Sequence, residues 1–233
     1  MRINKGYWLT LTGLLGALFA APQAWATLCV DGAALSSYIA GGSCTIGDKT
    51  FSNFTYSGSA QGGSTAITTA GITVDTMGPA GSLATLLSPD IGLQFQAAWS
   101  VGSNQLLDSL IGFTVTVNTA GVFIHDAGLV QGGTSFIAPG LAQVAENLSN
   151  LTQLVTIDSA GLIKLSDEEV FSATGSVHVM KDISVNGNIG GAASISLVQD
   201  TFSQVQVPEP ASLALLGTAL ISLGLMRRRR KGA

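Results

Sequence analysis

Leu93-Gln94-Phe95-Gln96-Ala97-Ala98-Trp99-Ser100-Val101 places an apolar residue at every odd position and a small or polar one at every even position. A period of two marks a strand with one face in a core. Ile111-Gly112-Phe113-Thr114-Val115-Thr116-Val117 repeats the pattern in the same phase. Gly102 and Asn104 fall in a connection long enough for a hairpin or a broader loop. Ala193 to Leu197 is a third alternating run. The phase predicts Phe95 and Trp99 inside a core and Gln94 and Gln96 outside it.

Working outward, Thr50–Tyr56, Ala70–Asp75, Val122–His125, Gln153–Ile157, Leu162–Leu165 and Ser176–Val185 are short and rich in β-branched or aromatic residues. Gly-rich turns separate them: Gln61 to Ser64, Gln131 to Thr134 and Asn186 to Gly191. The last contains an Asn-Gly pair, the strongest short hairpin signal. Leu141 to Leu154 fits either a helix or two short strands, and strands are favoured; Ser36 to Ile39 fits one helical turn. No repeat of about 20 to 50 residues is visible, which argues against a solenoid. The fold class expected is all-β: a single antiparallel β-sandwich or jelly roll.

Both ends of the chain read as targeting segments. Arg2 and Lys5 precede an apolar run from Trp8 to Ala21, and Ala24-Trp25-Ala26 supplies an A-x-A cleavage site. Residues 1–26 are thus expected to be a signal peptide cut by signal peptidase after Ala26. Residues 207–233 read Val-Pro-Glu-Pro, then sixteen apolar or small residues from Ala211 to Met226, then Arg227-Arg228-Arg229-Arg230-Lys231. As a helix the run covers about 24 Å at about 1.5 Å per residue, a little short of a hydrocarbon core of about 30 Å. The basic end resists crossing and would stay in the cytoplasm. A single transmembrane helix is therefore expected there, leaving residues 27–206 as the exported domain.

These residues carry a resemblance. Pro208-Glu209-Pro210, the hydrophobic run and the Arg227–Arg230 cluster resemble the PEP-CTERM sorting signal of Gram-negative bacteria. The likeness implies recognition by exosortase, a membrane-embedded cysteine protease, at the inner membrane. It also implies cutting near Pro208-Glu209-Pro210 and delivery to the cell surface or beyond. Cys44-Thr45-Ile46-Gly47-Asp48-Lys49-Thr50-Phe51-Ser52-Asn53-Phe54 is similar to an opening shared by many such proteins. Gly112-Phe113-Thr114-Val115 and Lys181-Asp182-Ile183 resemble further segments. The resemblance implies a β-rich exported domain and no particular reaction.

Charge narrows the function classes. Of 10 basic residues, Arg2, Lys5, Arg227 to Arg230 and Lys231 lie in the end segments, leaving Lys49, Lys164 and Lys181 in the domain. Of 14 acids only Glu209 lies outside it, so 13 acids face 3 lysines, a net of −10. Nucleic acid is excluded as a partner, because binding it needs basic patches. Cys29 and Cys44, in a chain bound for an oxidising compartment, are expected to form a disulfide. Two free thiols or part of a metal site are the alternatives.

No catalytic, cofactor or metal residue is assigned. The imidazoles are His125 and His178, no Gly-x-Ser-x-Gly elbow is present, and serines alone carry no information. Zinc needs three or four placed ligands; Asp167-Glu168-Glu169, the one dense acidic cluster, reads as a solvated turn, with calcium open. Trp99 is expected inward, and Tyr38 and Tyr56 are expected at the rim. The sequons at Asn53, Asn147 and Asn150 are expected to be chance matches. The expected function is a non-enzymatic surface or extracellular-matrix protein, associated with exopolysaccharide or biofilm. A carbohydrate-binding module or adhesin is the first alternative; a secreted hydrolase using paired carboxylates is the second.

Overall fold

The structure is a computed structural model and describes residues 27–78, 91–150, 152–206 and 217–221. The expected signal peptide and most of the expected transmembrane helix lie outside these residues. Residues 217–221 are helical, and no described helix is long and apolar enough to cross a membrane.

The chain opens with short strands β1 (Thr27–Leu28) and β2 (Ala33–Ala34), a helix α1 (Leu35–Gly41), and the hairpin β3 (Ser43–Ile46) and β4 (Lys49–Gln61). A 3-10 turn leads into β5 (Thr73–Met77). The long strands β6 (Ile91–Val101), β7 (Leu106–Val117) and β8 (Val122–Gly132) follow, then a short β9 (Ser135–Ile137). Next come β10 (Leu141–Leu148), β11 (Gln153–Ser159), β12 (Leu162–Lys164), β13 (Ser166–Thr174), β14 (Ser176–Asn186) and β15 (Ala192–Gln206).

Two sheets result. One has eight strands in the order β1-β3-β4-β7-β14-β10-β11-β12. The other has seven, with β13-β8-β15-β6-β5-β2 in line and β9 paired to β15. The antiparallel pairs β6–β15, β7–β14, β8–β13 and β10–β11 are nested, like a long hairpin rolled on itself. This is the jelly-roll arrangement of eight strands. The innermost turn of the roll is the β10–β11 hairpin, so the stretch that fitted helix or strand is two strands.

The alternation in β6 and β7 holds. Phe95, Trp99, Ile111, Phe113 and Val115 are fully buried, while Gln94 and Gln96 lie on the other side. The two runs do not form a hairpin, because they lie in opposite sheets and face each other across the core. Phe113 packs against Phe51, Phe54, Phe95 and Phe202 at 5.9–6.3 Å between ring centroids. Trp99 Nε1 donates to Ser109 Oγ at 3.0 Å, which satisfies the indole inside the core.

The Asn186-Gly187 expectation is corrected. β14 and β15 are not paired with each other, so this turn crosses between sheets. Gly187 is required for a different reason: a Cβ there would stand 1.8 Å from the Gly102 carbonyl oxygen. The two inter-sheet crossings thus pack together, joined by Asn104 N–H donating to Asn188 O at 2.6 Å and Gly187 N–H donating to Gln105 O at 2.9 Å.

Candidate functional site

The tail leaves the domain from the end of β15, a strand hydrogen-bonded on both sides by β6 and β8. Its last residue, Gln206, is in register with Val122 of β8. The folded sandwich therefore runs up to the edge of the sorting signal. Pro208, Glu209, Pro210 and Arg227–Arg230 lie outside the described residues, as do Ala24 and Ala26.

At the opposite end of the chain Cys29 and Cys44 are joined by a disulfide, with Cα atoms 4.9 Å apart. The bond ties the start of the domain to β3, beside the parallel pairing of β1 with β3. Tyr38, expected at the rim, is instead buried below this bridge. Its hydroxyl donates to Val30 O at 2.6 Å, and its ring packs on Phe54.

The outer face of the seven-stranded sheet carries a groove of about 490 Å³, lined by polar and apolar side chains alike. Pairing puts Glu168, Gly128, Thr201, Gly92 and Met77 in one row across β13, β8, β15, β6 and β5. Gly128 keeps the floor low, because a Cβ there would lie 2.7 Å from Thr201 Oγ1. Beside this row Gln94 and Gln96 both donate to Asp75, and Gln199 donates to Gln94 Oε1 at 2.7 Å. Asp167-Glu168-Glu169, expected in a turn, lies on β13. Burial alone would raise the Asp167 carboxyl, but hydrogen bonds from Lys164 and the Val155 N–H and the Lys164 charge hold it below its usual value. Asp167 is thus fixed in a structural ion pair, and both it and Glu168 line the groove.

The other outer face holds a carboxylate pair. Burial, a hydrogen bond with Asp108 and the Asp108 charge push Asp182 up to about 6. His178 is exposed on the same strand, its Nδ1 3.2 Å from Thr114 Oγ1. Among the described residues no group of three or more His, Cys, Asp or Glu is placed to hold a metal.

The most unusual cluster is internal and was not assigned from the sequence. Lys181 of β14, Glu146 of β10 and Asp200 of β15 are fully buried between the sheets. Lys181 Nζ donates to Glu146 Oε2 at 2.7 Å and is in direct contact with Asp200 Oδ1. It also stands 5.7 Å from the Phe95 ring centroid. Burial pushes the Lys181 ammonium below its usual value, with the Glu146 charge and hydrogen bond opposing. The signal was present: each of the three occupies the apolar phase of an alternating strand, between Val179 and Ile183, Val144 and Leu148, and Val198 and Phe202.

A family model for the PEP-CTERM protein-sorting motif matches residues 206–231. No curated protein matches the chain. Alignments to solved structures are distant. TmCBM61 in complex with β-1,4-galactotriose aligns at 11% identity over 65% of this chain and 88% of its own, with a TM-score of 0.27. The enzymatically active domain of bacteriophage CBA120 tailspike protein 4 aligns at 14% over 64% of this chain and 19% of its own, TM-score 0.25. A family 11 carbohydrate-binding module from Clostridium thermocellum aligns at 9% over 62% and 87%, TM-score 0.18. At such scores these alignments carry no argument about fold or ligand. The tail does: a signal of this kind directs export, transient anchoring in the membrane and processing by exosortase, and by it the chain is a PEP-CTERM sorting-domain protein.

Proposed function

We propose that the processed domain is a non-enzymatic protein of the cell surface or extracellular matrix of a Gram-negative bacterium, bound to exopolysaccharide in a biofilm. The observation that carries this reading is the groove on the seven-stranded sheet. Its Gly128 floor admits a flat chain, and its walls offer Glu168 and the Thr201 hydroxyl, while Asp126 is held by Ser203. Carboxylates and hydroxyls are directional partners for sugar hydroxyls. The acidic domain favours a neutral polymer over an anionic one. A carbohydrate-binding module or adhesin would use the same face. The hydrolase reading needs a pair of free acids in a cleft; of the acids in the groove Asp126 is bound by Ser203 and Asp167 by Lys164, and the pairs Asp108–Asp182 and Glu146–Asp200 lie on a strand face and in the core.

Retention of the full chain on polysaccharide from its own cell tests the reading. Glu168→Ala with Thr201→Ala should weaken retention about tenfold, equivalent to about 1.4 kcal/mol. Equal retention of variant and wild type, or none by wild type, refutes the polymer role. Processing is tested separately. Replacing Pro208, Glu209 and Pro210 by Ala should trap an uncut membrane-bound form, and normal maturation of that variant would exclude the motif as the cut site.

A further inference from the structure

The Lys181 cluster is poorly explained as an ion pair. It sets two carboxylates against one amine, all three fully buried. Glu146 Oε1 and both Asp200 oxygens accept no hydrogen bond, even though Lys181 Nζ touches Asp200 Oδ1. Buried charges normally have every lone pair satisfied, because desolvation is otherwise uncompensated. An amine pressed on one carboxyl, bonded to a second and shielded by an aromatic ring is the arrangement a condensation needs.

We propose that Lys181 and Asp200 are joined by an intramolecular isopeptide bond, formed by the folded protein itself, with Glu146 moving the protons. The reactive form has a neutral Lys181 amine and protonated carboxyls on Asp200 and Glu146. Burial favours the neutral Lys181 amine over its ammonium. The Nζ lone pair attacks Cγ of Asp200, and Glu146 supplies a proton to the developing oxyanion. Glu146 then takes a proton from Nζ, passes it to the departing hydroxyl, and recovers its own proton from the remaining oxygen as the carbonyl re-forms. The Cγ–O bond breaks, one water leaves and an Nζ–Cγ amide remains. Glu146 ends as it began, and nothing is oxidised or reduced. Fixing amine against carboxyl gives effective concentrations that reach about 10⁵–10⁸ M in well-oriented systems. The product also exchanges buried charges for a neutral amide that Glu146 can hydrogen-bond.

The bond would cross the sandwich. β14 belongs to the eight-stranded sheet and β15 to the seven-stranded one. β15 is also the strand from which the sorting tail emerges. The strand that carries any pull through the C-terminus would thus be tied covalently to the opposite sheet.

Intact-mass and fragmentation spectrometry of the full chain, recovered folded from its native cell and reduced, tests this. The expected mass is one water below that of the chain between its observed termini, with a branched peptide linking Lys181 to Asp200. Asp200→Asn should give the same branched product with loss of one ammonia instead. Lys181→Met and Glu146→Gln should show no loss. Folded wild type with the full mass, or a water loss mapped elsewhere, overturns the bond. A Glu146→Gln chain that still cross-links overturns the proton-transfer role. Where a variant fails to fold, the wild-type fragmentation map decides alone.

Discussion

The edge and the middle of the domain are held by different physics. The Cys29–Cys44 bridge sits at the edge of the eight-stranded sheet, where β1 contributes only the pairings Thr27↔Cys44 and Leu28↔Thr45. Such a bond acts largely on the unfolded chain, by closing a loop. The Lys181 cluster sits at the middle of the sandwich, under strands paired on both sides. It acts on the folded state, where an unmatched charge has no water to turn to. An edge strand has too few contacts to hold itself and needs a tether. A central strand already has its contacts, and a buried charge there makes them conditional on the right partners.

Breaking the central site should have the largest effect. Lys181→Ala removes the one group that both buried carboxyls of Glu146 and Asp200 face, as cross-link or as ion pair, and should cost about 5 kcal/mol, the upper end for a broken buried pair. Denaturant unfolding measures it. A loss under about 1 kcal/mol would mean the carboxylates are not held as described. Phe95→Ala, which removes the ring beside Lys181 and the Phe113 contact, should cost about 3–5 kcal/mol. Gln96→Ala, one residue along and facing outward, loses its hydrogen bond to Asp75 but no core packing and should cost about 1 kcal/mol. Equal effects would break the register of β6.

The edge should come next. Cys44→Ser should cost about 2–4 kcal/mol in the oxidised protein. Under reduction the variant and wild type should converge, whereas the Lys181→Ala difference should persist. Convergence of both under reduction would erase the distinction between the two regions.

Much of this fold was legible. Period two in β6 and β7 named the right inward residues, and export with two cysteines named the disulfide. Sheet membership was not legible, because alternation says which side of a strand faces the core but not which sheet the strand joins. Asn186-Gly187 shows the limit: a local hairpin signal was overridden by the rolled topology, in which Gly187 serves close approach to Gly102. The groove was hidden for the same reason, since Glu168, Gly128 and Thr201 meet only through pairing of β13, β8 and β15. The internal cluster left a trace in charged residues standing in apolar phase. Three such residues on three strands become one site only when the sheets close.

A smaller effect than either concerns the Asp108–Asp182 pair, which separates exposed from buried charge. Asp182 is exposed on the outer face, where water can relieve what the core cannot. Asp182 is raised from 3.8 to about 6 by burial, by its hydrogen bond with Asp108 and by the Asp108 charge. The folded protein therefore binds this proton more tightly than the unfolded chain does. Stability from the protonated form is fully present below about 3.8 and is lost as pH rises through about 6. Asp182→Asn keeps a hydrogen-bond donor and removes the titration, so it should stabilise the protein at pH 7. Because Asp182 is exposed, screening reduces the gain to about 1 kcal/mol. Unfolding curves at pH 4 and pH 7 measure it: the variant should gain over wild type at pH 7 and converge with it near pH 4. High salt should shrink the gain, while leaving the Lys181→Ala loss unchanged. A gain independent of pH would show that the two carboxyls do not share a proton.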